Sequence, residues 1–103
     1  MKWRIKDPEE IADFSVDWSR FLNDQTISSV DWYIYDTDGT KTAVSPGDTV
    51  DGLTFLTSSN TSTVATARFS NGTVNNQYKI TCSIIYGNSL RSERTIRLPV
   101  RET

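Results

Sequence analysis

Carboxylates offer the first chemistry in this chain. Asp36, Asp38, Asp48 and Asp51 crowd one stretch, and hard oxygen donors at that density could hold a calcium ion. Their spacing is not that of an EF-hand loop, which needs further oxygen ligands and a distal bidentate glutamate. Aspartate also favours turns, where its side chain bonds nearby backbone N–H groups, and that is the role expected of these four. Asp13 and Asp17 stand four apart in an alternating segment, on the face opposite Phe14, Val16 and Trp18. Solvation is their expected role, since nothing there implies a pocket that would drive two carboxyl pKa values apart. Serine and threonine are abundant, but histidine is absent and lysines number only four. A lysine-activated serine is then the one nucleophilic arrangement left to consider. Cys82 is the sole cysteine; it alternates with apolar neighbours, reads as a small buried filler, and without histidine gives no zinc site. No catalytic residue, metal or cofactor is expected.

Surfaces for binding are the better prospect. Arg91, Arg94, Arg97 and Arg101 cluster near the C-terminus, but a phosphate-binding strip would want interleaved aromatics and a basic balance. Exposed strand charges that discourage edge pairing explain them better. Arg94 alone falls on an inward face, where a partnering acid is expected. Trp3, Tyr33 and Tyr35 are the candidate exposed aromatics, the residue types that supply contact area and a polar handle at interfaces. Trp3 and Ile5 belong to residues 1 to 8, which read as an arm that orders on a partner. Removing residues 1 to 6 is then expected to leave the fold intact and to abolish assembly. Trp3, Ile5, Tyr33 and Tyr35 are thus the expected partner interface, with Trp18 and Trp32 in the core.

The elements that must position these residues follow from a period of two. Thr26 to Tyr35, Ser62 to Phe69, Gln77 to Tyr86 and Ser92 to Val100 each alternate apolar and polar residues, as half-buried strands do. Asp7-Pro8-Glu9-Glu10 has capping-box spacing and predicts a single helical turn. A strand follows over Asp13 to Trp18. In the next, Ile27, Val30, Trp32 and Ile34 read as inward, and the step from Ile27 to Val30 predicts a bulge near Ser28-Ser29. Residues 36 to 52 are rich in turns, at Asp36-Thr37-Asp38-Gly39 and Ser45-Pro46-Gly47-Asp48, with Lys41 to Val44 as a short hairpin partner. Leu53 begins a strand that ends at the polar run Ser58 to Thr61. Ala65, Ala67 and Phe69 share a face in the following strand, and Asn71-Gly72 turns the chain. Tyr78, Ile80, Cys82 and Ile84 then line one face before the Gly87-Asn88 hairpin. Such a series predicts an all-β fold, an antiparallel β-sandwich before a small barrel. Tyr78, placed just as the chain enters a late strand, resembles the tyrosine corner of immunoglobulin-like and fibronectin-III-like sandwiches.

At 103 residues one domain is expected, able to bury roughly 65% of the unfolded chain's surface. A net charge of −2 gives no long-range pull towards nucleic acid or membrane. No signal-peptide core or membrane-length apolar run is present, so synthesis in a cytoplasm without secretion is expected. Asn60-Thr61-Ser62 and Asn71-Gly72-Thr73 match the glycosylation pattern but read as turns in that context.

Several segments together resemble a family of small tailed-bacteriophage proteins, described as fiber–tail adaptor or tail-associated structural proteins. They are Lys6-Asp7-Pro8-Glu9-Glu10, Asp13 to Ser19, Leu22, Thr26-Ile27-Ser28-Ser29 with Trp32, Phe69 to Thr73, Tyr78 to Thr81 and Ser92 to Ile96. The similarity covers nearly the whole chain; Tyr33 to Val50 is longer than the family pattern and looks like an inserted hairpin. The resemblance implies a virion structural part with an immunoglobulin-like sandwich and no catalysis. Such a part bridges a tail or neck ring to fibers or spikes, in a cyclic arrangement, with other phage structural proteins as partners rather than nucleic acid or membrane. A capsid decoration protein and a carbohydrate- or cell-surface-binding module are the two rival readings.

Overall fold

The computed structural model describes residues 2–103. Eight strands and one short helix run in the order β1 (Ala12–Asp17), α1 (Ser19–Leu22), β2 (Ile27–Tyr35), β3 (Lys41–Val44), β4 (Thr49–Val50), β5 (Leu53–Asn60), β6 (Val64–Asn71), β7 (Asn76–Tyr86) and β8 (Leu90–Val100). They form two four-stranded antiparallel sheets, β1-β6-β5-β4 and β3-β2-β7-β8. The chain crosses between sheets after β1, after β3 and after β6, an order compatible with an immunoglobulin-like sandwich.

Period-two alternation decides which side chains meet between the sheets. Phe14, Val16, Phe55, Ala65, Ala67 and Phe69 of the first sheet pack against Trp32, Ile34, Ile80, Cys82, Ile84, Ile96 and Leu98 of the second in one buried cluster. The small Ala65 and Ala67 leave room for the large rings of Phe55 and Phe69, whose centroids lie 5.8 Å apart. The predicted bulge is present as a register shift between Ile27 and Ser29 against β7, and β3 pairs with β2 as the expected hairpin. Two expectations shift. β5 continues to Asn60 through the polar run, because β6 supplies backbone partners as far as Asn60 opposite Ala65, past a second register shift at Phe55/Thr57. Among the described residues the one stretch of α-helix falls at Ser19–Leu22, where it drops Leu22 into the end of the sandwich. Asp7–Glu10 is instead a turn, closed by the Glu10 N–H donating to the Asp7 carbonyl at 3.0 Å. Its capping logic survives: Glu10 Oε1 accepts from Asp7 N–H, and Asp7 Oδ1 accepts from Glu9 N–H.

Tyr78 forms the predicted corner. Its hydroxyl donates to the Asp51 carbonyl at 2.6 Å and accepts from Thr73 N–H at 2.8 Å, while the ring is 3% exposed. Glycine is required beside it, since Gly52 has φ +88° and a Cβ there would meet Thr73 Oγ1 at 2.8 Å.

The expectation of a free N-terminal arm is corrected. Lys2 and Lys6 bridge in parallel to Arg97 and Val100, so the arm lies along β8 as an added edge. Trp3 N–H donates to the Arg97 carbonyl, Lys6 N–H to Pro99 and Arg101 N–H to Lys6, at 2.9, 2.9 and 3.0 Å. Trp3 also reaches the other sheet, its Nε1 donating to the Ser15 carbonyl at 2.9 Å. The Lys6 side chain is fully buried. Its ammonium donates to the carbonyls of Asp7 and Asn71 at 2.9 and 2.6 Å, and burial lowers its pKa against the pull of Glu10 and Asp7. Asp7 Oδ2 in turn accepts from the backbone and hydroxyl of Thr103, which ties the two chain ends together.

Candidate functional site: a cationic face with one open tyrosine

The four proposed interface residues separate into different settings. Trp3 is half-buried, with its ring 5.2 Å from Phe14 and 6.2 Å from Trp32 and from Phe69. Ile5 is 43% exposed on the outside of the arm. Tyr33 and Tyr35 point outward from β2 on the second sheet, both half-buried. Tyr33 is covered: the Lys41 ammonium sits 4.6 Å above its ring and pairs with Glu93 at 2.8 Å. Tyr35 is open and forms one wall of a groove of about 700 Å3, whose other lining residues are Lys2, Lys79, Thr95 and Arg97.

Register builds this groove. Lys79 on β7 stands directly opposite Arg97 on β8, and Lys2 of the arm bridges to Arg97. Tyr35 lies one residue beyond the Ile34–Ile80 pair and so flanks Lys79. Three cations therefore lie side by side across three neighbouring segments, with an aromatic ring at the end of the row. None of them forms an ion pair among the described residues. Like charges directly opposite one another weaken a sheet, so the arrangement suits an anionic occupant.

The remaining candidates have structural partners. Asp36 Oδ1 accepts from the N–H groups of Asp38 and Thr40, Asp48 Oδ2 from Ser45 and Asp51 Oδ2 from Thr37. These carboxylates close turns, as aspartate does by preference. Among the described residues no cluster of three or more metal-ligating side chains forms. Asp13 lies on the outer face of β1 and holds Arg68 at 2.8 Å. Arg94 corrects another expectation: it finds no carboxylate partner among the described residues. Its guanidinium stacks 4.3 Å over Trp18 and 5.9 Å from Phe21, and Nη1 donates to the Asp17 carbonyl at 3.3 Å. The aromatic pair takes the place of an acid at the end of the core. Cys82 is buried, and burial pushes its thiol up to about 11.

The family model for Podophage GP4 fiber-tail adaptor protein gp77 matches residues 6–99. The chain belongs to this family. It is therefore a phage tail-adaptor structural protein, and no curated protein matches it. Among the described residues of this gp77-family member, no helix is long and apolar enough to cross a membrane. The matched span opens on Lys6, the buried lysine that pins the arm, and takes in both Lys79 and Arg97.

Sequence reasoning missed the groove. Lys79 and Arg97 do share an outward parity on hairpin-linked strands, and that was the available signal; Lys2 joins them only because the arm folds back. An exposed apolar end was also missed, where Phe21 (43% exposed) packs edge-on against Tyr86, the cross-strand partner of Leu90 (49% exposed).

Proposed function

We propose that this protein is a non-enzymatic part of a phage particle that joins the tail or neck to fibers or spikes. It sits in a ring of tail proteins and takes the cyclic symmetry of that ring. The match to the fiber-tail adaptor family over residues 6–99 is the observation that carries this reading. In it, the sandwich is one rigid docking unit, with residues 36–52 as an inserted hairpin segment. Its partners are other phage structural proteins rather than nucleic acid or membrane, and it is made in the host cytoplasm and built into the virion. Tyr35 and Ile5 face those partners. Trp3 and Tyr33 contribute indirectly, by fixing the arm and the Lys41–Glu93 pair beside them.

The test is quantitative mass spectrometry of purified particles, with this chain counted against the major capsid protein. On the order of six to a few dozen copies is the outcome expected for a ring position. Hundreds of copies would move the chain to the capsid surface as a decoration protein. Absence from the particle, with a change of tyrosine fluorescence on adding host polysaccharide, would replace the adaptor reading with carbohydrate binding.

A further inference from the structure

The groove of Lys2, Tyr35, Lys79, Thr95 and Arg97 has a chemistry that narrows its occupant. We propose that it is the docking site for an acidic segment of a partner protein, whose carboxylates lie along the row Lys79–Arg97–Lys2. The inference rests on the adaptor reading only in taking that partner to be a tail or fiber protein.

Three observations point to it. First, the register sets Lys79 against Arg97 and Lys2 beside Arg97. The remaining lining, Tyr35 and Thr95, brings no carboxylate. Second, the chain carries 13 acidic against 11 basic residues, yet these cations stay together and unpaired among the described residues, whereas Arg4, Lys41 and Arg68 each hold a carboxylate. Third, the charge is local. A nucleic-acid site relies on many phosphate contacts and a basic field around them, and a net charge of −2 supplies no such field. A few carboxylates match a groove of about 700 Å3. Arg97 presents a planar fork suited to a bidentate carboxylate, the lysines act as point charges, and the Tyr35 ring gives the segment's aliphatic stems a surface to lie on.

The full chain would be titrated with a short glutamate-rich peptide and, separately, with a single-stranded oligonucleotide of matched charge and with inorganic phosphate. Backbone amide NMR shifts at Lys79, Thr95 and Arg97 report binding. The peptide is expected to shift those amides and to bind more weakly as salt is added, since exposed charges are screened. The double substitution K79E/R97E should weaken it by about tenfold or more, because like charges then face each other. The charge-matched control R20E/R91E should leave it unchanged. Thermal unfolding of each variant separates lost binding from lost fold; should K79E/R97E unfold, K79Q with R97Q takes its place.

Absence of peptide binding at low salt overturns the proposal, as does binding that survives K79E/R97E in a folded protein. Tighter binding of the oligonucleotide or of phosphate than of the peptide overturns the choice of an acidic protein segment. A failure here is distinguishable from failure of the adaptor reading. Should the peptide not bind while particles built without this chain still lack fibers, the groove assignment falls and the adaptor reading stands.

Discussion

At the scale of single residues, the side chains with the most definite work are buried polar ones. Tyr78 is held on both sides of its hydroxyl, by a carbonyl on the β4–β5 hairpin and by an N–H ahead of β7. Tyr78→Phe keeps the ring packing and strands both partners. Its expected effect is a loss of about 1–3 kcal/mol in urea unfolding, the penalty for leaving buried polar groups unmade. An unchanged midpoint would mean that solvent already satisfies Asp51 and Thr73. Cys82 carries the opposite expectation. Its thiol is fully buried and its pKa stands at about 11, so the reactive thiolate is scarce at neutral pH as well as inaccessible. Labelling by a thiol-specific disulfide reagent should therefore track global unfolding. A fast labelling phase under native conditions would show that the sheet opens locally around β7.

At the scale of elements, the N-terminal arm is where sequence and structure part most usefully. The start, with Trp3 and Ile5 among basic residues, reads as a segment awaiting a partner, and the partner turns out to be β8 of the same chain. Removing residues 1 to 6 takes away the Trp3 and Lys6 backbone bonds, the Trp3 ring from beside Phe14, Trp32 and Phe69, and the buried Lys6 ammonium. Losing a large, partly buried aromatic alone costs about 3 kcal/mol, which corresponds to a fall in thermal midpoint of about 10 °C or more. The expected outcome is thus a destabilised sandwich rather than an intact one. A midpoint within a few degrees of the full chain's would restore the picture of a free arm. The facing of the long strands was legible, because alternation is local: Phe14, Val16, Trp32, Ile80 and Ile96 all lie where period two puts them. So were the Ile27/Ser29 bulge and the Tyr78 corner. The two-residue β4 at Thr49–Val50 was too short to show a period. What stayed hidden depends on distant pairings. Lys6 contacts Asn71 across most of the chain, Lys2 reaches the groove only through the arm's parallel bridge to β8, and Arg94 meets Trp18 and Phe21 only once α1 folds over the end.

At the scale of the whole molecule, the charge layout predicts how stability responds to pH. Histidine is absent, so no side chain with an ordinary pKa between about 5 and 8 is available to titrate. Five carboxylates are held below their usual range. Asp7 is lowered chiefly by the Glu9 N–H, Glu10 and Asp13 by hydrogen bonds from Arg4 and Arg68, Asp17 by the Ser19 N–H, and Glu93 by Lys41. A group whose folded pKa is depressed stabilises the fold above its unfolded value and loses that contribution as pH falls through the folded one. The unfolded values are 3.8 for aspartate and 4.5 for glutamate. The thermal midpoint should therefore stay level from about pH 8 to 5 and drop in the window below about 4.5. Asp13, Asp17 and Glu93 are exposed and Asp7 and Glu10 half-buried, so added salt should shrink the acid-induced drop by screening the pairs. Asp7 is the informative site, because its two oxygens hold the turn at Glu9 and the C-terminal Thr103 at once. Asp7→Asn should lower the midpoint at pH 7 and show a shallower acid decline than the parent, since part of what acid removes is already gone. Calorimetry on both proteins across that range checks it. A parallel decline in the two would assign the acid sensitivity to the other four carboxylates, Glu10, Asp13, Asp17 and Glu93, and not to the tie between the chain's two ends.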